Sequence, residues 1–131
     1  MKTYAFRLQR GQDLRQEILA FAASKNIKAG VILTCVGNLE KAILRMAGAK
    51  IVKTWEGTFE ITSLVGTFEV GNGHIHITIA DVDGNAFGGH LKKGSLVGIT
   101  AEVVIAELDD KVFTREFDEA TGFKEFVVKS R

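Results

Sequence analysis

The three histidines of the chain lie together within residues 73–91. His74 and His76 alternate with isoleucines at positions 75, 77 and 79, and His90 follows a glycine pair. Alternate residues of a strand point to opposite faces, so His74 and His76 share one face and the β-branched isoleucines suit a buried face. Three convergent neutral imidazoles can bind zinc and leave one coordination position open.

The turn between the two predicted strands decides whether His90 joins the pair. A three-residue loop, Val82-Asp83-Gly84, places His76 opposite His90. The neighbouring side chains on that face are then all small: Thr78, Ala80, Ala86 and Gly88. A two-residue Asp83-Gly84 turn shifts the register by one and sends His90 to the other face. A bulge at Gly88-Gly89 is a third arrangement. The histidines therefore have two interpretations: a metal or small-ligand site, or a structural cluster that binds no ligand.

Three carboxylates are candidates for a supporting role at such a site. Asp81 and Asp83 flank the turn and could hydrogen-bond the ligand histidines. Glu102 interrupts an apolar run over residues 100–105. It either faces solvent or, if buried beside the histidines, serves as a fourth ligand or a general base. No local pattern identifies a catalytic residue.

The composition is that of an ordinary globular domain of 131 residues. Seventeen basic and 16 acidic residues give a net charge of +1, which provides no general attraction to nucleic acid or anionic membranes. Cys35 is the only cysteine, and its apolar surroundings predict a buried, unreactive thiol. The sequence has neither the apolar core of a signal peptide nor a run long enough to span a bilayer. We expect a cytoplasmic protein without a membrane partner.

Alternation and turn residues predict many short strands and one helix. Asp13 and Gln16 resemble a capping box, and the apolar spacing after them predicts a helix to about Lys25. Gly37-Asn38 is expected to end a buried strand. Residues 39–47 fit both a helical stripe and strand alternation, and we favour the strand because a hairpin turn follows it. The predicted strands outside the histidine hairpin cover residues 2–8, 31–36, 39–47, 50–56, 58–64, 67–70, 96–108, 112–117 and 123–128.

Sequential hairpins predict a large, mostly antiparallel β-sheet. With one main N-terminal helix, the fold class is α+β, in a single domain spanning residues 1–131. No linker, repeat or low-complexity segment divides the chain.

Several motifs resemble those of the PPC domain family of plant and prokaryotic proteins. The most specific are Gly57-Thr58-Phe59-Glu60-Ile61, His74-Ile75-His76-Ile77 and Gly88-Gly89-His90-Leu91. Others are spread along nearly the whole chain: Gly11-Gln12-Asp13-Leu14, Val36-Gly37-Asn38-Leu39 and Thr121-Gly122-Phe123. The chain is most similar to the stand-alone prokaryotic members.

The resemblance implies a homotrimer and a metal-holding cluster formed by His74, His76 and His90. In plants the domain accompanies AT-hook motifs in nuclear DNA-binding proteins, and prokaryotic members are often named as DNA-binding proteins by that association. An AT-hook requires prolines beside an Arg-Gly-Arg core, and this chain contains no proline. A DNA-binding role therefore rests on the resemblance alone.

Residues and resemblance together favour a homotrimeric binding or interaction module with a divalent metal, zinc in the first place, at the three histidines. Such a module would bind other proteins, in a role associated with transcription. The alternative is a metal-dependent enzyme, hydrolase-like, that acts on a small molecule at the same site.

Overall fold

A computed structural model describes all 131 residues. The elements, in chain order, are β1 (Lys2–Gln9), α1 (Leu14–Ser24), β2 (Gly30–Arg45), β3 (Val52–Glu69), β4 (Asn72–Ala80), β5 (Ala86–Leu91), β6 (Leu96–Glu107), β7 (Lys111–Asp118) and β8 (Phe123–Ser130). One helix among many strands confirms the predicted α+β class.

Six strands form one antiparallel sheet in the order β1-β6-β2-β3-β4-β5. The end of β2 also pairs with β5, where Leu44 lies opposite Leu91 and Arg45 opposite His90. This extra pairing closes β2, β3, β4 and β5 into a continuous ring of paired strands. Strands β7 and β8 form a separate two-stranded sheet. The predicted antiparallel sheet is confirmed, and the closure brings Arg45 to the histidine hairpin.

Strands β2 and β3 are longer than the sequence indicated. The break predicted at Gly37-Asn38 is wrong, because β2 continues through it and absorbs the irregularity as shifts in its register with β6. Gly37 has φ +150°, and a Cβ there would lie 2.0 Å from the carbonyl oxygen of Thr100. Asn38 Oδ1 accepts hydrogen bonds from the backbone amides of Ile99, at 2.8 Å, and of Thr100. The glycine therefore bends the strand without ending it. The preference for strand over residues 39–45 is confirmed.

Helix α1 covers one face of the sheet. Its buried residues, Leu14, Ile18 and Ala22, belong to the main core. Asp13 caps the helix as predicted, since its Oδ1 accepts from the amide of Gln16 at 3.0 Å. The helix has 11 residues, and the structure contains no helix that is long and apolar enough to cross a membrane.

The isoleucines of β4 point into the same core. Ile75, Ile77 and Ile79 are all almost fully buried. Burying three such side chains contributes roughly 1.5–3 kcal/mol each, which fixes the orientation of β4. The alternate residues of β4, among them His74 and His76, must then lie on the face that the helix does not cover.

Candidate metal centre

The turn between β4 and β5 has the three-residue form. The amide of Asp81 donates to the Asn85 carbonyl at 3.0 Å, and the amide of Gly84 donates to the Asp81 carbonyl at 3.0 Å. Gly84 has φ +85°, the left-handed conformation that this loop requires. The two-residue turn is thereby excluded.

The register between β4 and β5 follows from this turn. His76 lies opposite His90, and the pairing continues without a shift to Ala80 opposite Ala86, so no bulge occurs at the glycine pair. A Cβ at Gly88 would lie 2.1 Å from the carbonyl oxygen of Ile77, which explains why glycine is needed for the close approach of the strands. The three-residue alternative is therefore confirmed, and with it the predicted clustering of the histidines.

The three imidazoles converge on one point of the sheet surface. Ring centroids lie 4.8 Å apart for His74 and His76, 5.2 Å for His74 and His90, and 5.6 Å for His76 and His90. One ligand nitrogen from each ring lies within 4.8 Å of the others. Tetrahedral zinc with bonds of about 2.0–2.1 Å needs nitrogens roughly 3.4 Å apart. A bound zinc ion would have to draw these rings together, and imidazole nitrogen is a donor type that zinc takes.

Three clefts touch the cluster, and two of them border His90. The first has a volume of about 440 Å³ and is lined by His76, His90, Gly88 and the loop at Met46–Ala49. The second also measures about 440 Å³ and lies beside His74 and His90, on the side of β7 and β8. Space for a small ligand is therefore present beside all three imidazoles.

The surroundings keep two of the histidines neutral. Burial, followed by the positive charge of Arg45, lowers the pKa of His90 to about 4. Arg45 Nη2 lies 3.4 Å from His90 Nδ1. Burial, then His76 and Arg115, also lower the pKa of His74, while Glu125 opposes them. Both rings therefore keep a free lone pair at neutral pH, as a metal ligand must.

The predicted supporting carboxylates lie away from the cluster. Asp81 is held by the turn, where its Oδ1 accepts from the amides of Asp83 and Asn85. Asp81 follows His76 by five positions, which is about 16 Å along a strand at roughly 3.3 Å per residue. Glu102 is exposed on β6, and β2 and β3 lie between β6 and β4. None of Asp81, Asp83 and Glu102 belongs to the cluster that could hold a metal.

The predicted inert thiol is confirmed. Cys35 is buried, and burial raises its pKa to about 12, with a smaller contribution from the charge of Glu102. A thiol with so high a pKa holds its proton and is a poor nucleophile or ligand.

Two arginines near the cluster were not anticipated from the sequence. Arg45 reaches it through the β2–β5 pairing, which places it directly opposite His90. Arg115 comes from β7 and lines the second cleft. Both depend on contacts between residues far apart in the chain, which strand and turn patterns do not predict.

Comparison with known proteins agrees with this fold. The profile of the Plants and Prokaryotes Conserved (PCC) domain matches residues 1–109. A hypothetical protein from Salmonella enterica has a solved structure with TM-score 0.97 and 36% identity, covering 99% of this chain and 94% of that one. A solved protein from Archaeoglobus fulgidus, described as metal-containing, has TM-score 0.82 and 29% identity, covering 97% and 94%.

Other relatives carry different descriptions. The bifunctional protein GlmU of Synechococcus sp. is 38% identical over 129 residues, which are 98% of this chain and 20% of GlmU. The chain thus spans about a fifth of the curated relatives it matches. Solved structures from Bacteroides thetaiotaomicron and Ralstonia eutropha are described as "putative DNA-binding" proteins, at 24% and 20% identity, and show the fold alone.

The geometry defines the class of protein: an antiparallel α+β domain with a histidine cluster on its surface. Because the family profile matches residues 1–109 of 131, the chain belongs to the Plants and Prokaryotes Conserved domain family, the family that its motifs resemble.

The lowered pKa of His90 predicts a pH-dependent stability of the metal-free protein. Unfolded His90 takes up its proton near 6.5, whereas folded His90 resists protonation until about pH 4. The unfolded state therefore binds more protons in this window, and the free energy of unfolding should fall as the pH drops from 6.5 to 4. Denaturant unfolding with a chelator present, at several pH values, measures the slope.

The His90→Gln variant is the comparison for that slope. It lacks the titrating ring, so its stability should change less than that of the wild-type chain between pH 6.5 and 4. Carboxylates that titrate in the same range are common to both proteins and cancel. Identical slopes would show that the surroundings of His90 do not hold its ring neutral.

Proposed function

We propose that the chain is a homotrimeric binding module of its family that holds a divalent metal, zinc in the first place, through His74, His76 and His90. The observation that carries this proposal is the set of three ligand nitrogens within 4.8 Å of one another on one sheet face. Imidazole is a donor that suits zinc, and the lowered pKa of His74 and of His90 removes the competing protons. The metal-containing relative from Archaeoglobus fulgidus adds support.

A zinc ion held by three imidazoles supplies a Lewis-acidic position that a small ligand can occupy. The chain's own contribution is to present the three rings from a rigid hairpin. The core isoleucines fix the face of β4, and the Gly84 turn fixes the register of β5. The two clefts give a ligand access to this position.

The uncovered face of the sheet supports the trimer. Exposed aliphatic side chains lie on three neighbouring strands: Leu33 and Val36 on β2, Val65 on β3 and Ile99 on β6. Contiguous exposed apolar surface on a soluble domain commonly marks an interface. Further copies of the same chain are the occupants we propose, because most soluble oligomers are closed assemblies of one chain. The number of three copies rests on the family resemblance.

The proposal places the module in the cytoplasm, where the free thiol of Cys35 is compatible with a reducing environment. A role in transcription, through protein partners or DNA, has the descriptions of related structures in its favour. The net charge of +1 gives the monomer no general affinity for DNA phosphates.

The second candidate function is a metal-dependent hydrolase. It has one specific observation in its favour, since Glu125 lines the cleft beside His74. No carboxylate lines the other clefts that touch the histidines. Glu125 is therefore the residue of this chain that could act as a general base there.

Zinc should stabilise the wild-type chain and not the His76→Ala variant. A ligand that binds only the folded state adds roughly 2.7 kcal/mol at 100 times its dissociation constant, so the melting temperature should rise on addition of zinc. Removing one of three ligands should abolish the rise. Thermal unfolding with and without zinc, together with elemental analysis, measures both effects.

The matched control is Thr78→Val, which alters the next side chain on the same face of β4 and leaves the three imidazoles in place. It should bind zinc as the wild type does. Absence of bound metal in the wild-type chain after zinc is supplied in excess would refute the metal site.

The trimer should dissociate when a charge is placed on the uncovered face. Ile99 is 71% exposed in the single chain, and Ile99→Lys should give a monomer because a buried unpaired charge is costly at an interface. Sedimentation or light scattering should give three times the 14.3 kDa chain mass for the wild type. Val82→Lys, at a hairpin tip that is 82% exposed, is the control and should remain a trimer. A monomeric wild type would contradict the proposal.

A further inference from the structure

An excess of positive charge surrounds the histidines on the side of the C-terminal hairpin, β7–β8. The cleft there has a volume of about 440 Å³, and His74 and His90 form part of its wall. Four cationic side chains line it: Arg15, Arg45, Arg115 and Lys124. Glu125 is the one carboxylate among the lining residues. We refer to this space as the basic cleft.

The four cations have no anionic partner within the chain, since the ion pairs of the structure are made by other residues. Arg15 donates to the Gln16 side chain at 2.8 Å, which is a neutral acceptor. The guanidinium of Arg115 lies 5.3 Å from the ring centroid of Phe126. None of these contacts pairs one of the four charges with a carboxylate.

Carboxylates lie near the basic cleft but form no ion pair with its four cations. On the same hairpin, Lys129 does pair with Glu116, at 3.4 Å. Glu69, whose Oε2 is buried without a hydrogen-bond partner, feels the charge of Arg115 but forms no ion pair with it. Like charges that converge without a counter-ion repel one another, and an anion in the basic cleft would remove that cost.

We propose that the basic cleft binds a small molecule through an oxyanion group, a phosphate or a carboxylate. Arginine guanidinium groups match both anions by paired hydrogen bonds, and Arg45 and Arg115 are the residues that would hold it. Because His74 and His90 line the same cleft, a bound oxyanion lies beside the metal position. This part of the inference rests on the proposed metal site and names the class of ligand for it.

The grouping of the cations around one cleft favours a small molecule over a nucleic acid. The cations face one space of about 440 Å³, whereas a duplex requires basic residues spread along a surface. Arg115 and Lys124 come from β7 and β8, so the C-terminal hairpin builds part of the basic cleft.

The test is calorimetric titration of the full chain with inorganic phosphate and, separately, with malonate. Zinc-loaded and chelator-treated protein are both titrated. The Arg115→Gln variant should bind the preferred anion at least about tenfold more weakly, as expected for the loss of a charged hydrogen bond, with unchanged zinc content. Arg10→Gln removes an exposed arginine outside the basic cleft and should leave the affinity unchanged. The tighter of the two anions identifies the class of group.

Each result decides the question. Failure of both anions to bind, or equal affinities for wild type and Arg115→Gln, overturns the basic cleft as an anion site. Lys124→Gln repeats the test on the other strand if Arg115→Gln unfolds. If the wild-type chain does not bind zinc, only the proposed metal site is refuted. Phosphate binding by the metal-free chain would still support the basic cleft, provided that it is weakened in Arg115→Gln. Binding of a short DNA duplex, but of neither small anion, would overturn the small-molecule assignment.

Discussion

The antiparallel pairing of β4 with β5 is the constraint on which the site depends. Burial of the isoleucines of β4 sets which face the histidines take, and the left-handed conformation of Gly84 sets which residue of β5 lies opposite His76. Lengthening or shortening that turn by one residue would move His90 to the core face and separate it from His74 and His76. The candidate chemistry is therefore a consequence of strand register.

Closure of the sheet gives this hairpin its electrostatic surroundings. The pairing of β2 with β5 places Arg45 against His90, and the separate β7–β8 hairpin contributes Arg115 to the basic cleft. Positive charge around neutral imidazoles discourages their protonation and attracts anions. The same arrangement thus keeps the ring nitrogens free of protons and favours recognition of an oxyanion beside them.

The local features of the site were predictable from the sequence, whereas those that depend on long-range contacts were not. Alternation identified the face of His74 and His76, and turn chemistry offered the loop that brings in His90 as one of three arrangements, between which the structure decided. The strand ends predicted at glycine positions were wrong, because β2 and β3 both continue through their glycines. At Gly37, for example, the glycine allows the close approach of Thr100 without ending the strand. Arg45 and Arg115 could not be assigned to the site, since sheet closure and hairpin docking have no local signature.

X-ray absorption spectroscopy of the zinc-loaded protein at the zinc edge tests the central claim most directly. The account predicts three imidazole nitrogens at about 2.0–2.1 Å and one further light-atom ligand. A shell without histidine nitrogens, or one dominated by water oxygens, would contradict it. Such a result would mean that the histidine cluster is structural and that the metal, if bound, lies elsewhere.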